Sequence, residues 1–279
     1  MRKKPSKAKK MTLKEATRLL EEAGIENARG EARTLFRHYG GFADYELLSP
    51  TLEYDSDELR RALVRRKSRE PIQYIIGEVD FYRERYKVTP DCLIPRQDTE
   101  ILVDYAVKNL GHGARILDLC TGSGCVGLSI INNLEGAVCT LVDISESALS
   151  VARENAERLG LSGRVTFLLF DAASTRAEGA FDAVVSNPPY VTDKAYTELE
   201  REIYFEPRIA FVGGEDGADF YRSITPLYKD IANGGFIAYE IGYDQGELLK
   251  RIAEENGLCC EIIPDLSGND RVAVLKSRA

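Results

Sequence analysis

From Thr12 to about residue 70 the apolar positions fall on helical stripes. In "TLKEATRLLEEAG", Leu13, Ala16, Leu19, Leu20 and Ala23 share one face, Thr12 and Glu15 form a capping box, and Gly24 supplies a stop. The same recurrence runs through "ENARGEARTLFRHYG" and "DSDELRRALVRRKSRE", the latter ending against Pro71. Residues 11–70 thus predict a small helical domain with no strand signal. The following "YIIGEVDFYRERYKVTPDCLIP" is rich in β-formers, so 71–95 is expected to be a hairpin linker leading to a domain over 96–279.

In that larger part the period changes. Short apolar runs, "ARILDLC", "AVCTLVD", "RVTFLLF", "FDAVVSN" and "GFIAYEIG", alternate with the helical patterns "GCVGLSIINNL", "SESALSVARENAERLG" and "DGADFYRSITPLYKDIANGG". Strands separated by helices imply βαβ units, hence an α/β fold with a parallel sheet covered on both faces. In such sheets ligands bind beyond the carboxyl ends of the strands. Those ends are where chemistry is expected.

Composition narrows the class. Across 279 residues, 44% hydrophobic positions can build a substantial core, while a net charge of −8 disfavours a protein whose whole surface grips nucleic acid. No apolar run of about 18 residues occurs, and "MRKKPSKAKK" lacks the apolar stretch of a signal peptide, so no membrane association and a cytoplasmic location are expected. Residues 1–10 read as a solvated basic tail. The six cysteines, Cys92, Cys120, Cys125, Cys139, Cys259 and Cys260, form no C-x-x-C pair and, with only His38 and His112, no zinc-like spacing; they read as reduced, mostly buried thiols. No heptad seam or repeat argues for an oligomer, so a monomer is expected.

The first strand end reads "DLCTGSGCVG", in which Gly122, Gly124 and Gly127 satisfy G-x-G-x-x-G, with Asp143 about twenty residues later. A dinucleotide is one reading, and a glycine turn that merely packs is another. Asp118, four residues before Gly122, would repel a pyrophosphate but could hold a cationic amino group directly or through water. Asp143 can accept both hydroxyls of a ribose, and Asp171, closing "VTFLLFD", can accept from an adenine amino group. Three acidic strand ends beside a glycine loop (Cys120, Thr121, Gly122, Ser123, Gly124) suit S-adenosylmethionine, which carries an ammonium, a sulfonium, a ribose and an adenine but no phosphate, and whose product is S-adenosylhomocysteine.

The fourth strand ends in Ser186-Asn187-Pro188-Pro189-Tyr190, which discards two backbone donors at one point. Alone, the segment is an ordinary exposed turn. Behind a buried strand and next to a cofactor loop it has a chemical use. Methyl transfer from a sulfonium needs alignment, a dry pocket and an exposed lone pair on the nucleophile. A planar NH2 group offers its lone pair when both hydrogens are gripped, and the Asn187 side-chain oxygen and the Pro188 carbonyl are two suitable acceptors. The proline pair stiffens the segment, and Tyr190 presents a flat face for a planar amide or base. Asn187, Pro188 and Tyr190 are the candidate catalytic residues, with Pro189 added for substrate binding and Asn187 also counted at the cofactor site.

Together with "EPIQYIIGEVDF", "LIPRQDTEILVD", "FEPRIAFVGGEDGADFYR", "YEIGYDQGE" and "GNDRVAVL", these stretches resemble the release factor glutamine methyltransferases (PrmC/HemK family) from about residue 11 onward. The resemblance implies a Rossmann-like class I S-adenosylmethionine-dependent methyltransferase with a mostly parallel seven-stranded sheet. It further implies methylation of the glutamine in the Gly-Gly-Gln motif of peptide chain release factors, recognition of that protein partner by the helical domain, and the roles given above for Asn187, Pro188, Tyr190, Cys120–Gly124 and Asp143. The family usually has Gly at Cys120, Pro and Glu at Gln97 and Asp98, and Gly at Arg83. Arg96, Thr99 and Glu100 match the family text without a role that residue chemistry alone supplies; Thr99 is expected to cap the helix that starts there. The competing reading is a methyltransferase of exocyclic amino groups in DNA or RNA, since the same two-acceptor grip suits adenine. The acidic balance and the lack of interleaved basic and aromatic residues weigh against it.

Overall fold

The computed structural model describes residues 10–231 and 234–278, so the expected basic tail falls outside them apart from Lys10. The chain divides after Gly77 into two compact units. In the first, the Thr12 hydroxyl accepts from the Glu15 amide (3.1 Å) while the Glu15 carboxylate accepts from the Thr12 amide (2.9 Å), which starts helix α1 (Leu13–Glu21) with the expected capping box. Helix α2 (Ala28–Gly40) ends at Gly41 in the left-handed region, and α3 (Asp57–Lys67) starts under the Ser56 hydroxyl. Leu20, Leu35, Phe36, Leu59 and Leu63 form their shared core. Strands β1 (Met11–Thr12) and β2 (Glu53–Tyr54) also pair here. Two residues are too few to show a period, which is why the pattern along the chain carries no strand signal.

The stretch expected as a hairpin linker, 71–95, is more varied. It holds a short helix, α4 (Ile72–Ile76), stopped by Gly77, and then the hairpin of β3 (Glu78–Phe81) and β4 (Glu84–Lys87), which counts with the second unit. The hairpin turn sets Tyr82 at φ +57°, where glycine would be easier. Its amide donates to Glu100 and its hydroxyl to Asp104 (both 2.8 Å), two carboxylates of α5 (Glu100–Asn109) that hold the turn in place.

The rest of the second unit alternates β5 (Arg115–Leu119), α6 (Cys125–Asn132), β6 (Val138–Asp143), α7 (Glu146–Arg158), β7 (Val165–Leu169), β8 (Ala183–Ser186), α8 (Asp193–Tyr196), α9 (Asp219–Tyr228), β9 (Phe236–Glu240), α10 (Gly246–Glu255), β10 (Leu258–Pro264) and β11 (Asp270–Ser277). One seven-stranded sheet results, in the order β10-β11-β9-β8-β5-β6-β7. Strands β5 to β9 are parallel, and β11 lies antiparallel between β9 and β10. Alternate strand residues face opposite layers. Ile116, Leu141, Val185 and Ala238 pack on one side; Leu117, Val142, Val184 and Ile237 pack on the other. This is the mostly parallel, doubly covered sheet of class I methyltransferases, and its strand order reverses between β5 and β8, the place where such sheets open a crevice.

Candidate active site

That reversal brings the two singled-out loops together. Leu119 and Ser186 are paired in register, and the Ser186 hydroxyl donates to the Leu119 carbonyl (2.6 Å), so the glycine loop after β5 and the Asn187 segment after β8 leave the sheet side by side. A cleft of about 260 Å³ opens there, lined among others by Cys120, Gly122, Asp143, Asp171, Asn187 and Pro189. Asp118, Thr121 and Ser123 lie apart from it and line a smaller recess, of about 40 Å³, shared with Cys120, Gly122 and Asn187.

Each glycine of the loop has its own reason. Gly122 (φ +55°) and Gly124 (φ +82°) adopt the left-handed region, Gly124 at the start of α6. At Gly127 a Cβ would lie 2.5 Å from the Leu141 side chain, so this third glycine serves helix–strand packing. Cys120 is also left-handed (φ +58°), and burial pushes its thiol up, which keeps it neutral. Asp118 braces the loop from behind, accepting from the Thr121 hydroxyl (2.6 Å) and the Gly127 amide (3.0 Å). Burial carries its carboxyl up to about 7 despite those two bonds. Sequence reasoning assigned Asp118 a cationic amino group; its visible partners are the loop itself.

Asp143 ends β6 with each oxygen accepting one backbone amide, from Gly122 (2.8 Å) and Ser145 (2.9 Å). Burial raises its pKa and those bonds oppose the rise. Each carboxylate oxygen retains lone-pair capacity for a diol. Asp171 accepts from the Ala173 amide (2.9 Å) and the Ser174 hydroxyl (3.2 Å). Asp91 is a third carboxylate on the cleft wall, missed in the sequence because it sits on no strand end. Among the described residues the lining includes no lysine, arginine or histidine. Such a wall repels a pyrophosphate and favours a phosphate-free cation, so the residues present fit S-adenosylmethionine.

The Asn187 segment is held by elements far away in sequence. Pro188 and Pro189 are buried, and Asn187 and Tyr190 half-buried. Gly213 and Gly217 lie so close that a Cβ would come within 2.4 Å of the Pro189 carbonyl and 2.2 Å of the Tyr190 carbonyl. Gln245 donates to that Tyr190 carbonyl (3.2 Å), and the Tyr190 hydroxyl donates to Glu240 (3.1 Å). The Pro188 carbonyl, by contrast, accepts no hydrogen bond among the described residues. It is left as an acceptor for something outside the chain.

The segment "LIPRQDTE" acquires contacts that residue chemistry alone had not indicated. Arg96 pairs with Glu206, whose other oxygen accepts from the Ile94 amide (2.8 Å); burial raises the Glu206 carboxyl and Arg96 counters it. Leu93 and Pro207, on either side of this pair, are both walls of the cleft. Glu100 accepts from the hairpin turn. Thr99 does not cap α5; its hydroxyl accepts from the Asn187 side-chain amide nitrogen at 3.2 Å. The signal for Glu206 and Glu240 was a charged residue in an apolar run, in "FEPRIAF" and "FIAYEIG".

Two family models match the chain, the PrmC N-terminal domain over 12–77 and the methyltransferase small domain over 97–206. The release factor glutamine methyltransferase of Moorella thermoacetica is 38% identical, covering 94% of this chain and 96% of that protein. That of Geobacter sulfurreducens is 36% identical over 91% of each. A solved structure, the ribosomal protein L11 methylase from Lactobacillus delbrueckii subsp. bulgaricus, aligns with a TM-score of 0.51 and 16% identity over 69% of this chain and 84% of that one, a likeness of fold alone.

Proposed function

The chain belongs to the release factor glutamine methyltransferase family, and from that membership we propose that it transfers the methyl group of S-adenosylmethionine to the side-chain amide nitrogen of the glutamine in the Gly-Gly-Gln motif of peptide chain release factors. The observation that carries the reading is a pair of acceptors: Asn187, tethered through its amide nitrogen, and the unengaged Pro188 carbonyl beside it. Bound S-adenosylmethionine supplies an electrophilic methyl whose departure leaves a neutral thioether.

In this reading the Asp143 carboxylate takes the ribose, Asp171 the adenine amino group, and the loop Cys120–Gly124, braced by Asp118, the methionine end. Asn187 Oδ1 and the Pro188 carbonyl each accept one hydrogen of the target NH2. Gripping both hydrogens turns the nitrogen lone pair out of conjugation and fixes the line of attack, a gain of proximity and orientation. The proton that the nitrogen sheds on alkylation is already hydrogen-bonded to one of these acceptors. The buried prolines, packed against Gly213, exclude water from that side. The first unit is the candidate platform for the release factor, in a cytoplasmic, monomeric enzyme.

Mass spectrometry of a release factor incubated with this protein and S-adenosylmethionine, mapped to the Gly-Gly-Gln peptide, tests the reading. One added methyl on that glutamine, absent from a Gln→Ala release factor, is expected. No added methyl, from protein shown to bind the cofactor, would overturn the choice of substrate and favour an adenine-type amine.

A further inference from the structure

We propose that Glu206 is a positioning residue for the cofactor: together with Arg96 it clamps two walls of the cleft that no strand carries, and so sets how tightly and for how long the cofactor is held. This rests on the reading of the cleft as the S-adenosylmethionine site.

The cleft has walls of two kinds. Asp143 closes β6, and Cys120 and Asn187 directly follow β5 and β8, so the register of the sheet places them. The other kind comes from loops: Pro90 to Leu93 lie between β4 and α5, and Pro207, Ile209 and Ala210 between α8 and α9. Glu206 joins these two loops across 112 residues of sequence. Its Oε2 accepts from the Ile94 amide (2.8 Å), and its Oε1 pairs with Arg96. The Ile94 bond lies one residue from the cleft on both sides, since Ile94 follows Leu93 and Glu206 precedes Pro207. Prolines make the junction stiff. Pro95 separates the two donors, and Pro207 restricts Glu206 to the extended backbone it shows (φ −90°, ψ 156°), so a shift of the carboxylate is passed on to the wall. A carboxylate suits this place because it only accepts, and can therefore take both donors at once. The Glu206 side chain is 1% exposed, so the pair differs from a solvated surface ion pair: without Arg96 a charge would be left buried and unmatched. Glu206 is not one of the described residues lining the cleft, so it acts through Leu93 and Pro207.

Arg96→Met removes the cation, and Glu206→Gln keeps the shape but can accept from only one of the two donors while its NH2 faces the other. In the full chain each is expected to weaken calorimetric binding of S-adenosylmethionine about tenfold, mainly through faster dissociation. With a release factor as substrate the loss should appear in KM for S-adenosylmethionine rather than in kcat. Arg96→Lys, which keeps the charge, should recover most of the affinity. The double variant should bind no more weakly than Arg96→Met alone, because the two residues form one clamp. Wild-type affinity in both single variants, or effects that multiply in the double variant, would overturn the proposal. A second readout needs neither cofactor nor substrate: in Glu206→Ala the Ile94 amide should exchange its hydrogen at least tenfold faster, while the amides of β5 stay protected and show that the sheet is intact. Unchanged exchange at Ile94 would sink the clamp even if the enzyme is active. A wild-type protein that does not bind S-adenosylmethionine would refute the reading of the cleft, and exchange at Ile94 would still decide whether Glu206 holds its walls.

Discussion

Two residues carry separable tasks. Asn187 offers an acceptor at the nucleophile, so Asn187→Ala is expected to bind S-adenosylmethionine as the wild type does, while kcat falls by about a hundredfold, the usual loss when one preorganised polar contact to a reacting group is deleted. Single-turnover assays beside calorimetry separate the two, and undiminished turnover would remove Asn187 from the chemistry. Asp143 serves the cofactor and also anchors Gly122 and Ser145. Asp143→Ala should weaken the cofactor by about tenfold to a hundredfold, the range for hydrogen bonds to a charged group. Unaltered affinity in a titration would refute that assignment. Cys120 bears on the loop in another way: at φ +58° it occupies a conformation that glycine enters freely, and burial keeps its thiol uncharged.

Elements hold these residues from behind. The turn after β8 rests against Gly213 and Gly217, which precede α9. Gly217 has φ +74°, and its missing Cβ would lie 2.2 Å from the Tyr190 carbonyl, so Gly217→Ala meets both a strained backbone and a collision. A loss of about 1–3 kcal/mol in stability is expected, together with reduced turnover; an unshifted melting temperature would count against this packing. Asp118 makes the loop after β5 sensitive to pH. Its carboxyl, near 3.8 when free, is carried to about 7 in the fold by burial. Between those values the folded chain holds a proton that the unfolded chain has lost, so this group's contribution to stability declines as pH rises from about 4 to about 7. Asp118→Asn should flatten that part of the curve. Urea midpoints across the window check it, and identical pH profiles for the two proteins would exclude it.

For the whole molecule, every residue that lines the cleft comes from the second unit. A fragment starting at Glu78 is therefore expected to keep the affinity of the full chain for S-adenosylmethionine; loss of binding in a folded fragment, judged by circular dichroism, would contradict this. The sequence made the parallel strands and the cleft's central residues readable, because alternation, glycine spacing and acidic strand ends are local patterns. It hid what depends on distant partners. The two-residue strands β1 and β2 have no period, Asp118 reads as a ligand contact until Thr121 and Gly127 are seen on it, and Thr99 reads as a cap until Asn187 is found against it. The position of β11 has a temporal consequence. It follows β10 in the chain yet lies between β9 and β10, so β10 has no strand to pair with until β11 arrives. Arg271, on β11, carries a charge that favours the ionised form of Glu240, the buried carboxylate that holds the Tyr190 hydroxyl. During synthesis or refolding, much of the parallel sheet can assemble first, and catalytic competence should lag behind secondary structure. The acquisition of activity, followed in time against the growth of circular dichroism, would then act as a clock for the last strand.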